Sequence, residues 1–447
     1  MRTYRSQPHV NRRQLMQLGA VGGFGLTLPR LLAAENVTGA ATSTAKIKSC
    51  ILIFYYGGPS HIDTFDPKPK ASANVRGEFA TIATSAPGVF VGEHNRQTAR
   101  VMDRVAVVRS MQHPMRNHNS AAAEALCGRT PGNGDLELLA DDALSFPCYG
   151  ASLSYLWRDQ QLELPAVALP HLMYNVVPLP GQTAGFLGSA YQPFQIDKDP
   201  NLPEFNVETL NLPGDVTSTR LAQRRQLMQG IDVKASASKL ATYYETAFSL
   251  LGSETVRRSL RIAEEPASLR EKYGRNKFGQ SLLLARRLVE GGVRFITVYD
   301  GIHNGQTANW DSHSDNFARH RDVLIPPTDQ GYAALIEDLQ QRGLLDETLV
   351  IALGEFGRTP RINGNGGRDH WPDCFHVLLA GGGIRGGAVY GSSDNIGAYP
   401  ETNPVTPGDL AATLFTRFGI DPKHEIHDIT GRPYPLANGR ALGELFG

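Results

Sequence analysis

Apolar and polar positions alternate along this chain with two different periods. KIKSCILIFYYGG (46–58) stays apolar, β-branched and aromatic until a Gly pair stops it, which predicts a strand buried on both faces. DRVAVVRSM (103–111), VRFITVYDG (293–301), TLVIAL (348–353) and FHVLLAGGG (375–383) predict further strands. SAAAEALCG (120–128), FGQSLLLARRLVEGG (278–292), DQGYAALIEDLQQRGLLDE (329–347) and PGDLAATLFTRFGI (407–420) carry helix formers bounded by Gly or opened by Pro. Strands alternating with helices predict an α/β fold: a three-layer sandwich with a mostly parallel central sheet and helices on both faces. Residues about 150–215 break the pattern, being rich in Pro and Asn, and predict a long irregular insertion lying over the domain. Residues 216–275 predict helices with charged faces. The tetrapeptide GRTP occurs at 128–131 and again at 357–360, and the pattern offers no reason for it.

In an open parallel sheet, ligands bind past the carboxyl ends of strands, and the polar residues of this chain collect there. Ser60, His61, Asp63 and Asp66 follow the first strand. His113, His118, Asn119 and Ser120 follow the second. After 293–301 come His303, Trp310, Asp311, His313 and Asp315, and after 348–353 come Glu355, Arg358, Asp369, His370 and Trp371. Carboxylates and imidazoles arriving from separate loops suit a divalent metal. Asp311 and His313 are two apart, so on an extended segment they point the same way, and His370 can complete their shell. Ser120 opens the predicted helix, where the free N–H groups of a first turn attract anions; it is either a nucleophile or a plain cap.

The charge distribution adds an address. The formal net charge is zero, but residues 1–34 contain five Arg and no acid, leaving a mildly acidic body without any long basic run. Nucleic-acid binding is therefore not expected. Arg12 and Arg13 precede a weakly apolar, Gly-containing stretch and then Pro29, Arg30 and small residues, which resembles a twin-arginine export signal over 1–34. No segment predicts a transmembrane span, so the mature chain, 45–447, is expected as one exported domain in the periplasm or outside the cell. Cys50, Cys127, Cys148 and Cys374 allow three pairings and show no CxxC spacing.

GGPSHIDTFDPKP, WDSHSDNF, GEFGRTP and GRDHW together resemble the secreted bacterial family named domain of unknown function 1501. The order of polar strand ends resembles the alkaline phosphatase superfamily of phosphatases, sulfatases and phosphoglycerate mutases. That resemblance implies an alkaline-phosphatase-like fold and a hydrolase of a phosphate, sulfate or related ester, with a small-molecule or glycan substrate. It implies one or two divalent ions, zinc foremost, with manganese or calcium as alternatives. It implies Asp63 as the first-strand ligand with His61 as a substitute, Ser120 as nucleophile, and Asp311, His313 and His370 around one ion. Glu355 replaces the superfamily's Asp, and Phe356 stands where a His is expected, so His61 or His118 would have to supply the missing imidazole. Asp369 joins the ligand candidates, and Arg358 is expected to hold the substrate's oxyanion. No Cys or Ser is followed by x-Pro-x-Arg, which argues against a formylglycine sulfatase. The other reading is a non-catalytic, metal-stabilised extracellular binder of anionic glycans or another partner.

Overall fold

In the computed structural model, strand Ser49–Phe54 (β1) is buried along its whole length, and its two faces feed two separate cores. Ile51 and Ile53 point into the core shared with helices Lys277–Glu290 and Ile325–Gln341, while Cys50, Leu52 and Phe54 point into the core shared with His118–Cys127, Tyr149–Leu156 and Pro407–Arg417. Alternate side chains of a strand leave opposite faces, so a strand with no polar side gives a sheet covered on both sides. The result is the three-layer α/β sandwich. The structure describes residues 47–160, 162–207, 219–220, 223–224, 226–227, 253–301 and 309–446. The compact unit Lys46–Gly447 contains them all; the expected export signal at 1–34 lies outside the described residues.

Among the described residues the sheet has eight strands. In chain order they are β1, Val105–Met111 (β2), Ala166–Leu169 (β3), Phe194–Gln195 (β4), Phe295–Tyr299 (β5), Thr348–Leu353 (β6), Phe375–Ala380 (β7) and Val389–Tyr390 (β8), and their spatial order is β8-β2-β7-β6-β1-β5-β3-β4. Every pairing is parallel except the two made by β7, which runs against β6 and β2. Leu353 at the end of β6 lies opposite Val377 near the start of β7. The chain between them, 354–374, therefore leaves and re-enters the sheet at one rim, the rim where the parallel strands end. This places Asp369, His370 and Trp371, which precede a strand, among loops that follow strands.

Two expectations are corrected. The insertion at 150–215 does not simply lie over the domain: helix Tyr149–Leu156 covers the sheet, and β3 and β4 extend it through the parallel pairing of β3 with β5. Pro165 and Pro170 flank β3 and read as breakers, but they fall outside the paired run, and the Pro165 carbonyl still accepts from the Phe295 N–H. Helix His118–Cys127 begins two residues earlier than predicted and contains Ser120 in its first turn. Cys50, Cys127, Cys148 and Cys374 are all free and buried, so none of the three pairings forms.

Candidate metal centre

Gly57 and Gly58 follow β1 and form the floor of the site. Both have positive φ, 105° and 71°, a region open to glycine. A Cβ on Gly57 would stand 2.4 Å from the Asp311 amide nitrogen, and one on Gly58 would stand 2.6 Å from the Phe356 ring. The Gly57 N–H donates to Glu355 Oε1 at 2.8 Å, and the Gly57 and Gly58 carbonyls accept from the Arg358 guanidinium. One turn thus positions Asp311, Glu355, Phe356 and Arg358, which arrive from two distant loops. Those loops also bind each other. Ser314 bridges Gly366, the Arg368 N–H donates to the Ser312 carbonyl, and Asn363 Nδ2 donates to the His313 carbonyl. A Cβ on Gly367 would stand 2.0 Å from the His313 carbonyl oxygen, so the glycine there allows two backbones to touch.

Over this floor four side chains converge. Asp311 Oδ1 lies 3.0 Å from His313 Nε2, 3.3 Å from His370 Nε2 and 3.3 Å from His118 Nε2. His313 Nε2 and His370 Nε2 are 3.0 Å apart. The donor atoms of His118, Asp311 and His370 all fall within 4.8 Å of one another. Ligands held about 2.0–2.2 Å from one tetrahedral ion stand roughly 3.3–3.6 Å apart, so these spacings suit a shared cation.

The second nitrogen of each ring makes the argument stronger. His118 Nδ1 is 2.7 Å from Glu355 Oε1, His313 Nδ1 is 2.7 Å from Asp369 Oδ1, and His370 Nδ1 is 2.8 Å from the Arg116 carbonyl. An oxygen of this kind accepts only, so each Nδ1 carries the proton and each neutral ring turns its Nε2 lone pair inward. Three lone pairs and a carboxylate oxygen then face one another. Only protons or a cation relieve that arrangement. His118 Nε2 is buried, and the polar atom it faces is Asp311 Oδ1 at 3.3 Å. In the ion-free cluster, burial works against charging His118, but the bonds and charges of Asp311 and Glu355 prevail and push it up to about 9. Burial alone would raise Asp311, yet the bonds from His118 and His370 and the Arg358 charge hold it far below the usual carboxylate range. Burial, aided by the His118 and Arg358 charges, holds His370 below its ordinary value. Phe356 occupies the position of the expected imidazole and packs against two of the rings, 4.6 Å from His370 and 5.0 Å from His118 between centroids.

The structure thus brings together Asp311, His313 and His370, and it adds His118, which the sequence suggested as a stand-in imidazole. Glu355 and Asp369 lie one step out and orient His118 and His313. Asp63 is elsewhere: Arg368 clasps it with two bonds of 2.8 and 2.9 Å, and Asn316 donates to it at 2.9 Å. With its oxygens taken, it is not placed to ligate. His61 is also diverted, with Nε2 on the Gly397 carbonyl at 2.7 Å. Ser120 is fully buried; its hydroxyl bonds the carbonyls of Gly134 and Leu136 and accepts from the Leu136 N–H. The helix start it was expected to exploit is filled by the carboxylates of Asp135 and Glu137, which accept from the N–H groups of Arg116, Asn117 and His118. No free nucleophile or anion seat is presented there. Arg358 is likewise fully engaged, by Asp311, the Gly57 and Gly58 carbonyls and the Arg368 carbonyl. It is a fixed charge beneath Asp311 rather than a free arm for substrate. His303 lies outside the described residues. The sequence reading missed Arg368; its only signal was an Arg beside Asp369 in a loop otherwise made of small residues.

A family model described as "Protein of unknown function (DUF1501)" matches residues 47–446. No curated protein matches the chain. Among solved structures, a sulfatase from Pseudoalteromonas sp. is similar at 14% identity over 91% of this chain and 72% of that one, with a TM-score of 0.35. A Bacteroides thetaiotaomicron protein from a locus for the metabolism of multiple glycosaminoglycans is similar at 12% identity over 90% and 76%, with a TM-score of 0.42. The phosphonate monoester hydrolase of Agrobacterium radiobacter is similar at 11% identity over 89% and 77%, with a TM-score of 0.34.

Proposed function

Because the chain belongs to the DUF1501 family, whose description supplies no reaction, we propose its function from the site: a metal-dependent hydrolase of a phosphate, sulfate or related ester. The single observation that carries this reading is the inward convergence of three Nε2 atoms and Asp311 Oδ1, each ring fixed through its Nδ1. His118, Asp311 and His370 would hold the ion, with His313 at the open edge. A mixed imidazole and carboxylate set favours zinc or manganese over calcium, which takes more oxygen ligands. One ion fits better than two, since Asp63 is already neutralised by Arg368. A divalent ion held there supplies Lewis-acid stabilisation of charge developing on an ester oxygen.

The remaining work falls to the chain. Arg358 offsets the Asp311 charge from below, and Glu355 and Asp369 keep two rings in the tautomer that presents Nε2. His313 is about half exposed, so its Nε2 is the atom best placed to hold or deliver a proton at the mouth. With Ser120 engaged, the attacking group is water rather than that side chain. Metal analysis of the purified chain, followed by assays of aryl phosphate, phosphodiester, phosphonate and sulfate esters with zinc or manganese, tests the reading. Turnover that Asp311→Asn abolishes is the expected result; a metal-loaded protein inert on every ester defeats it. Burial of Ser120 and the loss of the imidazole at Phe356 favour a second reading, a metal-stabilised glycan-binding module, and that inert outcome would support it. We also propose export through the twin-arginine route, testable by fusing residues 1–34 to a reporter and substituting Arg12 and Arg13 with Lys.

A further inference from the structure

Imidazoles and a carboxylate can hold an ion, but an oxyanion brought to that ion also needs a hydrogen-bond donor. Charge develops on the oxygens of an ester as it reacts, and a donor already in place there is worth more than one that must be recruited. Arg358 is spent on Asp311 and on backbone carbonyls. The half-exposed Arg116 guanidinium donates to Asp373 at 2.8 Å and stands over the Trp371 ring at 5.9 Å. A donor for the oxyanion must touch the ligands, carry an unused proton and reach solvent.

Tyr56 meets these conditions. It lies just past β1 and directly before Gly57, on the floor of the site. Its carbonyl accepts at 3.1 Å from the N–H of Trp310, the residue before Asp311, and the next N–H along, that of Gly57, holds Glu355. Its ring packs on His118, with 5.3 Å between centroids and a tilt of 50°. Backbone and ring are thus fixed by the groups that build the metal centre. The residue is only 6% exposed, yet its hydroxyl has no hydrogen-bond partner among the described residues. Unlike the sealed Oε2 of Glu355, this oxygen is open to solvent. Burial, followed by the charges of Glu355, Asp311 and Glu137, pushes the phenol above its ordinary value, with Arg358 acting the other way. The hydroxyl therefore stands near Asp311 and Glu355 and keeps its proton.

We propose that Tyr56 Oη is the donor that meets the substrate's oxyanion at the metal centre. The assignment deepens the hydrolase reading and rests on it for the reaction; the contact with an oxyanion is measurable apart from turnover. Water satisfies the free hydroxyl until an anion displaces it, so the donor waits in place at little cost. With ring and backbone held, only the O–H bond has to turn toward the arriving oxygen. A neutral phenol also adds no further cation beside Arg358 and the bound ion.

Tyr56→Phe keeps the ring on His118 and removes only the hydroxyl. The probe is orthovanadate, an oxyanion that imitates the transition state of ester transfer, titrated calorimetrically into the zinc-loaded full chain. The wild type should bind it, and Tyr56→Phe should bind it about tenfold or more weakly, with metal content and melting temperature unchanged. On any ester that the wild type turns over, kcat should fall about 100-fold while KM holds. Weakened vanadate binding by Tyr56→Phe, in a chain whose wild type is inert on every ester, would defeat the hydrolase reading and uphold the Tyr56 contact. No vanadate binding by the wild type, equal affinity in the two proteins, an unchanged kcat, or loss of metal from Tyr56→Phe would overturn the assignment.

Discussion

At the scale of single residues, the site rests on one carboxylate oxygen serving several partners. Asp311 Oδ1 takes a 2.6 Å bond from Arg358 and faces three imidazole nitrogens. Removing a group that orients a ligand costs metal affinity without removing any donor. Glu355→Ala frees His118 Nδ1 and should lower affinity about 10- to 100-fold, measured by competition with a chromogenic chelator. Asp369→Ala should act more weakly, because its carboxylate is half exposed and water can replace it. Arg358→Met leaves the Gly57, Gly58 and Arg368 carbonyls without their donor and Asp311 without its countercharge. It should destabilise the fold by about 3–5 kcal/mol in urea unfolding.

Asp63 gives the pH prediction. Burial alone would raise its carboxyl, but the charge and bonds of Arg368 outweigh that and hold it below its ordinary value. The folded state then binds fewer protons than the unfolded state, whose Asp titrates near about 3.9. The stabilisation is complete above that value and is lost as pH falls through the depressed folded value. Melting temperature should therefore drop steeply below about pH 4. Asp63→Asn should melt lower at neutral pH and show a shallower acid limb.

At the scale of elements, the glycines matter more than any ligand. Gly57 carries a φ of 105° and has no room for a Cβ beneath Asp311. Gly57→Ala should cost more than about 1 kcal/mol and reduce metal content, since the strain falls where Asp311 enters the site. Gly364 has open space around it, so Gly364→Ala is the control and should leave metal content unchanged. The reversal of β7 is the second element-scale device. An antiparallel strand returns the chain to the rim it left, and so 354–374 delivers Glu355 and His370 to one place from its two ends.

At the scale of the molecule, a bound ion should appear as stability. A ligand that binds only the folded state adds about 2.7 kcal/mol at a hundredfold excess over Kd. Stripping with a chelator should lower the melting temperature of the native chain, and Asp311→Asn should show no such response. The layered fold was legible because its signal is local: an unbroken apolar strand such as ILIF declares burial on both faces, and amphipathic helices declare the covering layers. The 166–169 strand was not legible, because four residues between prolines carry too little pattern to outweigh their flanks. His118 was legible only as one of two stand-ins, with His61, for the imidazole missing at Phe356; the fold chose between them by turning His61 onto the Gly397 carbonyl.

The sequence by itself determined the α/β layering, the rim on which polar residues gather, and the pairing of Asp311 with His313, since local pattern and residue spacing fix these with little help; the reversal of β7 brought His370 to them. Only the tertiary structure decided which acids remained available. Arg368 takes Asp63, Arg358 underlies Asp311, and Asp135 and Glu137 fill the helix start beside Ser120. These pairings join residues far apart in the chain, and whether a carboxylate is ligand, orienter or salt-bridge partner depends on which charge folding brings nearest to it.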